Sequence, residues 1–169
     1  MIPIKGYATF DPLKHCWIGS SFKTEWFHDL PIYKNDKIMD PLKRIAEETE
    51  EDYQTLDKIL TDAGVKTYRS FLDIKKYGSL KNVYRPPVCP RDHFAVIGEK
   101  IYFANGRHRG YEAMLSKINK RSMNIDTMLD VPSLNTACIV RVGKDIWWDT
   151  ALNINMSIVE KYKEKWERE

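Results

Sequence analysis

Two stretches of this chain repeat one plan, and that repeat limits the fold more than any other feature. VIGEKIYFA, from Val96, and VRVGKDIWWD, from Val140, each run through an apolar strand, a glycine, two polar residues, and an isoleucine followed by two aromatics. The two glycines, Gly98 and Gly143, lie 45 residues apart. A glycine and polar residues between apolar runs predict a tight hairpin turn. A helical pattern follows each copy, around Tyr111 to Ile118 and around Ile154 to Trp166. The unit is therefore strand, turn, strand, helix, with room for a further strand. A period of this length belongs to propellers and arrays, where each unit buries its face against its neighbours.

The upstream half fits the same α/β scheme. KHCWIGSSF, residues 14 to 22, predicts a first strand over Cys16 to Gly19 that ends in a Gly-Ser-Ser loop. A long helix follows, with Asp40 as cap, Pro41 at the first helical position, and apolar residues from Leu42 to Ala63 recurring every three to four positions. Gly64 ends it. The acids of EETEED, residues 47 to 52, read as the solvated early face of that helix. VKTYR predicts the returning strand, and residues 73 to 91, with Pro86, Pro87 and Pro90, form a basic connection long enough to mark a functional loop. Counting this older copy, the chain holds two to three units in a single domain over residues 1–169.

Composition excludes several classes. The chain is 43% hydrophobic and 12% aromatic over 169 residues, enough for a substantial core. Its net charge is only +3, with acids and bases interspersed, which disfavours nucleic acid. No apolar run reaches the roughly 20 residues that a bilayer requires, and MIPIKGYATF lacks the order of a signal peptide. A cytoplasmic protein with no membrane partner is expected. Cys16, Cys89 and Cys138 lack paired spacing, and His15, His28, His93 and His108 lack ligand spacing, so neither a disulfide nor a metal is expected, and no cofactor.

The polar candidates cluster at the hairpins. Arg91 and Asp92 stand where a loop enters the first echoed strand, so Asp92 reads either as a satisfier of loop backbone groups or as a carboxylate that accepts paired bonds from a guanidinium. Asn135 precedes the second echoed strand in a comparable place and reads equally as a turn residue. GRHRGYE, residues 106 to 112, reads as a helix entrance or an anion site at that helix start. Cys89 and Cys138 are weak nucleophile candidates, because no His-x-Asp base motif accompanies them.

PRDHFAVIGEKIYFANGRHRGYE resembles a segment of the amidinotransferases of the glycine and inosamine type. There a Pro-Arg-Asp precedes an apolar hairpin with an Ile-Gly turn. FDPLKHCWIGSSF is similar to that family's opening strand, and LNTACIVRVGKDIWWD to its second hairpin. The resemblance implies the guanidino-group-modifying (pentein) superfamily, whose β/α propeller has five ββαβ units, with this chain as the N-terminal part. It implies transfer of an amidino group from an arginine-like guanidino substrate to an amine acceptor through a cysteine-bound intermediate. Asp92, beside Arg91, takes the position of the first carboxylate that grips the guanidinium. The second falls on Asn135, which cannot carry the negative charge, and the family's next aspartate falls on Cys138.

The family's catalytic histidine and cysteine fall beyond Glu169, so this chain alone is expected to be inactive. Two other readings stand beside that one. The chain is a non-catalytic guanidino- or amine-binding module, or an interaction subunit whose open edge pairs with a partner. That partner is a second copy in a homo-oligomer or a complementing C-terminal chain.

Overall fold

The computed structural model describes residues 2, 4–6, 11–70, 72, 76, 88–103, 111, 115–118, 136–149 and 156–166. They belong to two compact units: Leu13–Pro90 with Arg109–Ala113, and Met1–Pro12 with Arg91–His108 and Met114–Glu169. Helix and strand are mixed in both, and the sheets are small.

In the first unit, strand β1 (His15–Ile18) and strand β2 (Lys66–Arg69) pair in parallel, His15 against Lys66 through Ile18 against Arg69. Parallel pairing requires a crossover, and helix α1 (Asp36–Asp62) supplies it. Its apolar residues bury Met39 and turn Ala46 and Tyr53 toward the unit, while Ile18, Trp26, Val65 and Leu72 complete the core. Gly64, at φ +80°, ends the helix as expected. Its N–H bonds Thr61 O while Val65 N–H bonds Leu60 O at 2.9 Å each, a Schellman closure.

The start of α1 is a correction. The helix begins at Asp36, with Asn35 at the N-cap position but no side-chain cap bond from it, and Pro41 lies inside it rather than at its first position. Asn35 O accepts bonds from Ile38 and Met39 N–H at 2.9 Å each. Burial of Met39 rewards this extra turn, which offsets the single backbone bond that Pro41 cannot make. The acids of residues 47 to 52 consequently sit in mid-helix.

The second unit contains both expected hairpins. Strands β3 (Phe94–Ile97) and β4 (Lys100–Phe103) pair antiparallel, as do β5 (Ile139–Val142) and β6 (Asp145–Trp148). Gly98 and Gly143 both take φ +60°, the left-handed first position of a primed hairpin turn. The 45-residue offset of the glycines carries β3 onto β5 and β4 onto β6, residue for residue. Helix α2 (Met156–Trp166) follows, and residues 150–155 lie outside the described residues. Of the helix expected near Tyr111, only Tyr111 and Leu115–Ile118 are among the described residues. The N-terminus also joins this unit, for Gly6 and Gly98 exchange backbone bonds of 2.8 and 3.0 Å.

Tyr162 and Trp166 of α2, four apart and so on one face, pack in a cluster with Ile97, Tyr102 and Ile139, joined by Ala95, Ile146 and Trp148. Strand alternation and register fix the faces involved. Ala95, Ile97 and Tyr102 share one face of the first hairpin, whereas Ile139, Ile146 and Trp148 share the opposite face of the second. The helix therefore joins opposite faces of two equivalent hairpins. The second hairpin's counterparts of Ile97 and Tyr102 are Val142 and Trp147. The first pair is 1% and 0% exposed, the second pair 38% and 71%.

Candidate functional site

A 3₁₀ turn, Pro90–Asp92, leads into β3, and another, Thr136–Cys138, leads into β5. Such turns present successive side chains in different directions, and here they separate three neighbours. Arg91 is exposed, Asp92 half-buried and His93 buried. Thr136 is buried and donates from Oγ1 to the carbonyl of Arg91 at 2.8 Å. The entrances to the two hairpins are thereby tied together at Arg91.

Asn135 and residues 106–110 and 112 lie outside the described residues, as does most of the 73–91 connection. Thr136, the residue after Asn135, is the described point of contact with the Asp92 turn. The strand offset places Ala137 at the step of Asp92, so the repeat by itself does not make Asn135 its counterpart. Cys89 is exposed, and Cys138 and Cys16 are half-buried. Burial pushes the Cys16 thiol up, which suits a packed residue rather than a nucleophile. Among the described residues no group of three His, Cys, Asp or Glu could hold a metal. No helix among them is long and apolar enough to cross a membrane.

Glu47, Glu48, Glu51 and Asp52 are exposed, as a solvated face requires, but a second polar assembly, in the other unit, draws Glu50 inward. Glu50 accepts from Arg69 Nη2 at 3.0 and 2.9 Å and from Ser21 N–H at 3.3 Å. Arg69 Nε donates to Gly19 O at 2.9 Å, and its guanidinium lies 5.3 Å from the Tyr53 ring centroid. Tyr53 donates to Val88 O at 2.6 Å. Burial, with Cys89 and Glu50 nearby and only Arg69 opposing, pushes the Tyr53 hydroxyl above its ordinary range. The sequence carried a signal for this: Glu50 shares a helix face with Ala46 and Tyr53, which point inward.

These elements define a class of structure, the amidinotransferase fold. An amidinotransferase of the saxitoxin biosynthetic pathway from Microseira wollei matches 99% of this chain with a TM-score of 0.66 at 18% identity, over 61% of its own length. The inosamine-phosphate amidinotransferase of Streptomyces griseus matches 96% with a TM-score of 0.64 at 16% identity, over 59% of its length. The chain thus spans about three fifths of either structure. No protein-family model matches the sequence, and no curated protein does.

Proposed function

We propose that this chain is the guanidino-binding, N-terminal portion of an amidinotransferase-type β/α propeller, one fold over residues 1–169 that acts in the cytoplasm. The observation that carries this reading is the near-complete structural match to two amidinotransferases. The Thr136–Arg91 bond supports it by tying together the two hairpin entrances that the family resemblance singles out. Asp92 accepts paired N–H bonds from an arginine-like guanidinium, with Arg91 beside it. Asn135, at the second carboxylate position, offers a neutral carbonyl oxygen, so the charge on the cation falls to Asp92. The amidino group would pass to an amine acceptor. The 169 residues contain no His-x-Asp motif to serve as acid and base for that transfer, so catalysis belongs to this chain together with further sequence or a partner.

The exposed Val142–Trp147 face is open to cover by further sequence or by a partner. Its counterpart on the first hairpin is covered by a helix from the following unit, and this face keeps apolar residues for the same kind of cover. Calorimetric titration with arginine tests the binding step. Asp92→Ala is expected to weaken binding at least about tenfold, the scale of a charged hydrogen bond. Absence of binding to the unaltered chain, or equal binding by the variant, refutes the role of Asp92.

A further inference from the structure

A cleft of about 700 Å³ lies wholly within the first unit, between the loop after β1 and helix α1. Ser20 and Ser70, at the carboxyl ends of the parallel strands β1 and β2, line it. Parallel α/β arrangements characteristically bind ligands at that end, and the volume falls in the ordinary range for small-molecule sites. Nothing in the guanidino-binding reading uses it.

The lining has an unusual charge balance. Lys23, Lys43 and Arg69 face the cleft against Glu25, Glu47 and Glu50, while Phe22 and Ala46 supply apolar wall. Equal numbers of both signs give no net attraction for a polyanion or a polycation. They do offer separate partners to a molecule carrying both charges. Arg69 and Glu50 are already paired and fix the floor. Lys23, Glu25 and Glu47 form no ion pair among the described residues, so their charges are available, whereas Lys43 already lies 3.8 Å from Asp40.

The loop is also held in place before any ligand arrives. Ser21 donates to Ala46 O at 2.6 Å, Ser20 donates to Ser70 O, and Gly19 O is held by Arg69. A site fixed by its own scaffold loses little freedom on binding.

We infer that this cleft binds a zwitterionic α-amino acid with a large apolar side chain. Its ammonium lies toward Glu47 and Glu25, its carboxylate toward Lys23, and its side chain against Phe22 and Ala46. The inference stands independently of the role of Asp92.

The test uses the 169-residue chain, labelled with nitrogen-15 and titrated with L-phenylalanine to about ten millimolar, a range that captures weak sites. Saturable shifts are expected at the amides of Ser20 to Glu25, Glu47 and Ser70. The same protein is titrated with 3-phenylpropanoate and with phenethylamine, each lacking one of the two charges. Both should bind at least about fivefold more weakly, and the exposed-residue variants Lys23→Met and Glu47→Gln should weaken phenylalanine by about two- to fivefold. Asp92→Ala should leave the shifts unchanged, which separates this site from the guanidino site. No saturable shifts at the cleft, or equal binding of the singly charged analogues, overturns the proposal. So does unchanged phenylalanine affinity in both lining variants.

Discussion

Replacing Arg69 by methionine and Glu50 by glutamine, singly and together, tests whether this ion pair holds the first unit's strands to its helix. Arg69 reaches both carboxylate oxygens, at 3.0 and 2.9 Å, and also the Gly19 carbonyl. Its side chain is 26% exposed and that of Glu50 is 38% exposed, so water screens part of the attraction. The coupling between them should therefore be about 1 kcal/mol, the upper end for exposed pairs. Arg69→Met alone also loses the bond to Gly19 O and the contact with the Tyr53 ring, which brings its cost to about 2 to 3 kcal/mol. Glu50→Gln keeps its size and should cost about 1 kcal/mol, mainly through Arg69 and the Ser21 N–H. Urea unfolding of the four proteins gives the coupling as the non-additive part. One molar salt should shrink it, because the pair is not sealed from solvent. A coupling indistinguishable from zero, or Arg69→Met within half a kcal/mol of the parent, refutes the assignment of this pair as the tie, since even the flanking contacts are worth about that much.

Three further changes probe other links. A methyl group on Gly19 would overlap the Val88 carbonyl, lying 2.6 Å from its carbon and 2.9 Å from the Tyr53 hydroxyl, so Gly19→Ala should destabilise by about 2 to 4 kcal/mol through displaced backbone. Thermal or urea unfolding checks it, and a neutral variant contradicts the close approach. Thr136→Val keeps the shape but removes the bond to Arg91 O. It should cost about 1 to 2 kcal/mol, measured by urea unfolding, and should weaken arginine binding if the two entrances act together. Tyr53 has a hydroxyl raised above its usual 10.0, chiefly by burial. The unfolded chain therefore ionises first, so this contribution is intact below about pH 10 and lost as pH rises through the folded value. Tyr53→Phe should abolish that part of the alkaline stability loss, followed by unfolding midpoints across pH 9 to 12.

The two hairpins were legible because their information is local. A glycine that accepts positive φ, flanked by apolar runs, specifies turn and register together, and the observed pairings follow the repeat. The returning strand and the Gly64 stop were legible for the same reason. The start of α1 was not. Pro41 is locally best at a first turn, but burial of Met39 extends the helix beyond it, and burial is a tertiary fact. Asp92 stood out because charge beside an apolar hairpin needs a reason. The inward face of Glu50 had a local signal, but its pairing with Arg69 did not, since only the crossover brings those residues together.

The sequence alone thus determined elements whose residues lie within a few positions of each other, along with a resemblance that named a chemistry. The tertiary structure decided which member of the acidic run pairs with the returning strand, and it joined the two hairpin entrances through Thr136 and Arg91, residues 45 apart. It also decided that α2 covers opposite faces of two equivalent hairpins, leaving Trp147 bare. Turn and strand preferences are set by neighbouring backbone atoms. Burial and long-range pairing depend on what the rest of the chain places alongside, which no local pattern encodes.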